Sequence, residues 1–544
     1  MVQRFGLPAS LEGVVFWDGC RQAAHAAPSL HQRLAKAVPG RTTFTTMKSL
    51  FLPLAFAAVA PLASAELSVR VLSATAPGTS TAQVVGQPGQ RVLLFISATE
   101  AQTQISDLIT LDINPLRQLA AEVTLGLTLN AQGTANFSFA TTQALTGGRL
   151  TFQAAALAPS PEVSNICRAT YLGANSLGPA LGNAVSAFGQ AFALSDGRVA
   201  LVGGAGPVVS AFDPCTQEVA PIGLVPSANL FAARAQLADG RILVAGGIGA
   251  GGQPSTEAYL FDPATALATA LPPLATPRLG AAAVRRGDGK ILVTGGIDTT
   301  SFTDVAAFFG AIENTTELFD PETSTFAPGP NMPEPKAFHT ATRLANNAIL
   351  VAGGLGVVQV IGVPYVSNLG YVSNTAGTSF GALPKLFSTG RFLHDATRLA
   401  DGRVLLSGGL TADLGGVLKT GDFSQIAFTS IATTSLYSTS GLGSFANGPT
   451  LSAPRALHSV AALNNGRALL SGGISGALDI GAILSGTISL PAAVSTTELV
   501  STTAARLGPT MSAPRVGGVA LGGAADGRAY IFGGGPTSIE LYQP

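Results

Sequence analysis

Three histidines occupy one position in a repeated pattern: His339, His394 and His458 each lie seven residues before a turn that begins at 346, 401 or 465. Imidazoles at equivalent positions serve one of two ends. Converging to about 2 Å from a shared point, they bind zinc or copper. Held apart, each three residues after Lys336, Arg391 or Arg455, they pack and hydrogen-bond within their own repeat. The second use is the expectation, because residues are copied between repeats for packing, whereas a metal needs convergence. A second recurring set is acidic. Asp196, Asp239, Asp288, Asp401 and Asp526 open turns, and Arg198, Arg241, Lys290, Arg403, Arg467 and Arg528 follow two residues after a turn's first residue. Turn chemistry accounts for the carboxylates, and local ion pairs or solvation for the cations. No catalytic residue is assigned: the chain has no G-x-S-x-G nucleophile elbow with triad partners, no H-E-x-x-H and no G-x-x-x-x-G-K-[ST].

The elements that carry these residues are short strands. Seven segments share a turn, an apolar strand and a glycine pair: DGRVALVGG at 196, DGRILVAGG at 239, DGKILVTGG at 288, NNAILVAGG at 346, DGRVLLSGG at 401, NGRALLSGG at 465 and DGRAYIFGG at 526. Their starts lie 43 to 64 residues apart, near or above the length of a four-stranded propeller blade. Asp-Gly joins strand a to the apolar strand b, with positive φ expected at both turn residues. The glycine pair ends strand b where backbone passes close to a neighbouring repeat. Third strands recur before Asp-Pro at 213–214, 262–263 and 320–321, and that turn leads into strand d. The last repeat ends after its third strand, so a strand at about 169–177 is expected to complete it and close the ring.

This pattern resembles the kelch-repeat propellers, a group that includes galactose oxidase-like proteins, over roughly residues 168–544. The resemblance implies an all-β, seven-bladed propeller of secreted bacterial type. It departs in one respect: this stretch has no Trp, and Phe326, Phe445 or a leucine stands where the family's Trp packs. The copper-radical oxidases on this fold need copper-binding histidines and a tyrosine crosslinked to a cysteine. Cys167 and Cys215 lie in linker and turn settings, and no histidine is near Tyr171 in the sequence. No cofactor is expected. The two cysteines either form a disulfide, as an even pair in an oxidising compartment does, or remain free thiols.

Long connections between strands b and c in repeats 3 to 6 gather on one face, where binding function concentrates. They carry the candidate contact residues Phe302, Phe308, Phe309, Tyr365, Asp413, Asp422, Phe423 and Asp479. They are also rich in apolar residues, which leaves open that they pack on one another. The reading is an exported, non-enzymatic binding or scaffold protein that meets a protein or glycan on this face. A carbohydrate-active or metal-dependent, copper-oxidase-like enzyme is the alternative.

The chain has 544 residues, formal net charge zero and 11% charged residues, which gives no electrostatic footprint for nucleic acid. Met47, Lys48, the apolar run to Leu62 and Ala63-Ser64-Ala65 read as a signal peptide at 47–65, too short and proline-broken to span a membrane. Residues 1–46 read as a misassigned or non-exported extension, which removes Trp17, Cys20, His25 and His31 from functional reasoning. The mature chain is expected to be secreted, on the cell surface or periplasmic, with no transmembrane segment. Alternating runs over 66–160, among them Arg91 to Ser97 and Phe137/Phe139, suggest an immunoglobulin-like β-sandwich in front of the propeller.

Overall fold

The structure, a computed structural model, describes residues 66–544 apart from 99, 107–108, 114–124, 157–159, 179–186, 205, 228, 250, 300–304, 359–362, 383, 414–425, 480–489, 524–526 and 536–537. The proposed extension and signal peptide, together with Phe302, Asp422, Phe423 and Asp526, lie outside the described residues. The protein is almost entirely antiparallel β-structure. No described helix is long and apolar enough to cross a membrane.

Each of the seven sequence repeats supplies strands to one four-stranded antiparallel sheet. Repeat 2 shows the plan: strand a Ala233–Gln236, b Ile242–Ala245, c Ala258–Asp262 and d Leu267–Ala270, paired in that order. All four residues of its strand b are buried, while three of the four in strand d are exposed. The reason is stacking. Leu243 faces an apolar cluster shared with Ile291 and Val293 of repeat 3, whereas Ile242 and Val244 face one shared with Ala200 and Val202 of repeat 1. A strand covered on both faces is apolar at nearly every position, and this produces the run that marks each repeat in the sequence. Comparable clusters join each later pair, and another joins Tyr530 and Phe532 of repeat 7 to Val199 and Leu201 of repeat 1. Phe326 and Phe445 fill outer positions against Phe319 and Tyr437, with ring centroids 5.1 and 5.0 Å apart.

Three local expectations change. In the turn at 196 the Leu194 N–H donates to the Arg198 carbonyl at 2.8 Å, and only Gly197 has positive φ, at 92°. Asp196 instead accepts the Arg198 N–H at 3.0 Å. The hairpin is therefore a three-residue loop with a left-handed glycine, and its aspartate works as an acceptor for the backbone. Repeat 4 holds the same geometry with Asn347 at φ 68°. The strand that completes the last sheet is only Ser176–Leu177, paired with Tyr542 and Gln543. Cys167–Thr170 pairs instead with Arg149–Ala156.

That pairing belongs to the front region, where two sheets share one apolar cluster. One contains Ser68–Ser73, Gly78–Val85 and Thr134–Thr141, and the other is built around Arg91–Ser97 and Arg149–Ala156. Cys167 and Cys215 form a disulfide with an S–S distance of 2.08 Å. Because Cys167 sits in the front sheet and Cys215 in the c–d turn of repeat 1, the bond fastens the two regions to each other. The Arg168 N–H adds a 2.8 Å hydrogen bond to the Cys215 carbonyl.

Candidate functional site at the mouth of the central channel

Strand a of each repeat is the innermost, and the chain enters it through a residue with left-handed backbone. Phe188, Phe231, Phe338, Leu393 and Leu457, with Gly280 and Gly517, have φ between 49° and 67°. Bulky residues in this region cost about 1 to 3 kcal/mol each and persist only where their surroundings over-determine them. Here the determinant is a chain of backbone hydrogen bonds from repeat to repeat. Phe188 N donates to Gly517 O at 2.7 Å, Gly517 to Leu457 at 2.9 Å, Leu457 to Leu393 and Leu393 to Phe338 at 3.2 Å, Phe338 to Gly280 at 2.8 Å, and Gly280 to Phe231 at 3.1 Å. Between repeats 1 and 2 a side chain provides a bond: Arg234 Nη1 donates to Phe188 O at 3.3 Å.

Beneath this chain, cations brace the repeats. Arg278, Lys336, Arg391, Arg455 and Arg515 are at most 1% exposed. Their carbonyls accept the N–H of the second glycine of the preceding repeat, from Gly247 to Arg278 at 2.8 Å through Gly473 to Arg515 at 2.7 Å. The first glycine is fixed by the same contact, since a Cβ on Gly353 would lie 2.6 Å from both the Arg391 carbonyl oxygen and His394 Cε1. Arg278, Arg455 and Arg515 pair with Glu317, Glu498 and Glu540 at 3.0, 2.6 and 3.5 Å. Arg391 has hydroxyl and carbonyl partners instead, among them Thr433 and Ser435. Lys336 donates to Ser367 Oγ at 2.7 Å, and burial pushes its ammonium down to about 8.

The three histidines begin strand a rather than lying within it, and their bonds run between repeats rather than inside them. Nε2 of His339, His394 and His458 meets Thr294 Oγ1, Thr340 Oγ1 and Ser407 Oγ at 2.8, 3.0 and 2.9 Å, each hydroxyl being in the preceding repeat. Burial pushes His339 and His458 down to about 3 and His394 well below its ordinary value, so the rings are neutral. Among the described residues no group of three or more His, Cys, Asp or Glu is placed to hold a metal ion. The turn aspartates likewise act locally: Asp196, Asp239 and Asp401 each pair with the arginine two residues on at 2.7 Å. Arg528 reaches away to Gln543 and to the Ala74 and Thr170 carbonyls of the front region.

The left-handed residues line a cavity of about 290 Å³ at the channel's end, together with Arg234, the three histidines and Asp395. Sequence reasoning missed it. A signal was present, because the residue eight before the first turn residue is Phe188, Phe231, Gly280, Phe338, Leu393 or Leu457 in repeats 1 to 6. Asp395 accepts N–H bonds from Ala396 at 2.7 Å and Val460 at 3.1 Å, and burial pushes its carboxyl up to about 6.

The b–c connections stand on this same face, and two of the residues expected to make contacts there, Phe308 and Phe309, are turned to packing. Phe308 and Phe309 are 8% and 5% exposed in an apolar cluster with Ile297, Leu355, Phe392, Leu410 and Phe428, so their rings are spent on packing. Tyr365 is half-buried and donates to Glu334 Oε2 at 2.7 Å. Asp413 and Asp479 end two strands that flank Ala427 in a three-stranded sheet made by the connections of repeats 5 and 6. Leu355–Val358 and Val363–Val366 form a further hairpin in repeat 4. Phe338, Leu393 and Leu457 of the cavity rim pack against the same cluster, which joins insertions and channel mouth.

No known family model matches the sequence, and no curated protein matches it. Solved structures do. A fungal alcohol oxidase of the AA5 family, determined in complex with copper, aligns over 68% of this chain and 76% of its own, with TM-score 0.50 and 15% identity. The structure of YjhT aligns over 60% of this chain and 99% of its own, with TM-score 0.47 and 16% identity. The fold is a kelch-like β-propeller. Copper-radical chemistry, which the fold resemblance raises, does not fit the described residues. Both cysteines of the described chain are consumed in the disulfide, leaving none to crosslink a tyrosine, and the histidines are not placed as a ligand set.

Proposed function

We propose that the chain is an exported, non-enzymatic binding protein, a closed seven-bladed propeller behind an immunoglobulin-like sandwich, which takes a protein or glycan on its b–c face. The carrying observation is the contrast between faces. The a–b turns are tight and self-satisfied, whereas the b–c connections of repeats 3 to 6 build added strands around the channel mouth and share one cluster with its rim. The cluster between repeats 7 and 1 supports closure, and the disulfide suits an oxidising compartment. In this reading the front domain extends to about residue 170, because Cys167–Thr170 pairs within its sheet.

The test is binding of the purified chain to immobilised neutral and acidic oligosaccharides, repeated after residues 356–365 are replaced by an Asn-Gly turn. Lost binding with retained melting temperature supports the reading. Binding untouched by the exchange, or absent from every oligosaccharide, overturns it.

One observation favours a carbohydrate-active enzyme as the second reading: a carboxyl pushed up to about 6 inside a cavity is suited to proton transfer near neutral pH. Release of reducing ends from the same oligosaccharides, abolished in Asp395→Asn, would select it.

A further inference from the structure

Arg234 is the exception among the cavity's basic side chains. It is 7% exposed and donates to two backbone carbonyls, Asn229 O at 2.6 Å and Phe188 O at 3.3 Å; its Nε, like Nδ1 of the three histidines, has no partner among the described residues. Among the described residues no carboxylate pairs with it, as none pairs with Arg391, whereas Arg278, Arg455 and Arg515 each have one. Burial pushes it down to about 10, so it still carries its charge at neutral pH. Its place is also distinctive. A Cβ on Gly203, the first glycine of repeat 1, would strike the Arg234 guanidinium, as one on Gly353 would strike the His394 ring. A permanently charged fork thus fills the junction between repeats 1 and 2, in the kind of space where neutral imidazoles fill later junctions.

A desolvated guanidinium with unused donors is costly unless an anion completes it, and its planar fork matches a carboxylate. Asp395, in repeat 5, lines the same cavity and accepts only backbone N–H bonds, which leaves it lone pairs for a donor. Phe188, Phe231 and Phe338 supply an aromatic wall beside the cation, with successive ring centroids 5.2 and 5.7 Å apart. The volume of about 290 Å³ limits the occupant to a small molecule or the end of a chain. We infer that this cavity binds a small carboxylate that carries a hydrogen-bond donor at its other end, the carboxylate on Arg234 and the donor on Asp395. The donor is a hydroxyl, as in a sugar acid, or an ammonium, as in an amino acid. This site stands apart from the face reading, since the cavity needs no partner on the insertions.

Titration calorimetry of the purified chain distinguishes the cases, with glucuronate and 4-aminobutyrate as bifunctional probes and acetate and glucose as probes with one function each. Expected is binding of at least one bifunctional probe about tenfold or more tighter than either single-function probe, weakened about tenfold or more in Arg234→Gln and partly restored in Arg234→Lys. Which probe binds identifies the donor. Equal binding of all four, no binding of any, or unchanged binding in Arg234→Gln overturns the inference. Should Arg234→Gln fail to fold, the wild-type ranking and its loss in Asp395→Asn decide. Loss of oligosaccharide binding on exchanging 356–365, with these probes unaffected, would separate this site from the face.

Discussion

The junctions between repeats 3 and 4, 4 and 5, and 5 and 6 are made alike, while the junction between repeats 1 and 2 is not. In the first three an imidazole lies against the preceding glycine, neutral and bonded to a hydroxyl. In the last a guanidinium lies there and donates to two backbone carbonyls. Copies made three times over are a device for joining sheets. The departure buries a charge where the other joins use a neutral ring, and that makes it the candidate for function.

The largest expected effect lies with the cations under the uniform junctions. Arg455→Ala strands Glu498, which is fully buried, and is expected to cost about 3 to 5 kcal/mol in chemical denaturation. Replacing both partners by methionine should recover most of that loss. If Arg455→Ala costs no more than a surface pair, the bracing role fails.

The disulfide comes next. Cys167→Ser is expected to cost about 2 to 4 kcal/mol and to raise protease sensitivity first in residues 66–170. A uniform rise throughout the chain would mean that the bond does not chiefly fasten the front region.

Acid tests the imidazoles. Their folded values lie below the ordinary 6.5, so between about 6.5 and 3 the unfolded chain holds more protons and stability falls as pH falls. Asp395 works against this: its folded value of about 6 exceeds the unfolded one, so its contribution is present in acid and lost as pH rises through 6. Replacing His458 with leucine should flatten the loss of stability between pH 6 and 4 by up to about 1.4 kcal/mol per pH unit. An unchanged slope would show that the ring is not held neutral. The smallest effect belongs to the turns, where Asp239→Asn, breaking an exposed pair with Arg241, should cost about 0 to 1 kcal/mol.

The repeats were legible because stacking on both faces buries every position of strand b and leaves it apolar but for a closing Thr or Ser in some repeats, as in Ile242–Ala245 and Ile291–Thr294. The glycine pairs were legible for the same reason, since their missing Cβ atoms mark contacts made in every junction. The site was less so. Phe308 and Phe309 looked available because a long apolar connection has the same composition whether it faces solvent or packs on its neighbours. Arg234 was overlooked because it stands at no recurring position, and its isolation from carboxylates is a fact of three dimensions. The histidine bonds were placed within repeats because sequence spacing is blind to which neighbour a strand's entrance touches.

Hydrogen exchange of the chain with and without an oligosaccharide that it binds tests the choice of face most directly. Protection should be confined to the b–c connections of repeats 3 to 6, among them 305–314, 355–366, 410–413, 426–433 and 474–479. Protection of the turns at 196–198, 239–241 and 401–403 instead would place the binding surface on the opposite face and contradict the proposed function.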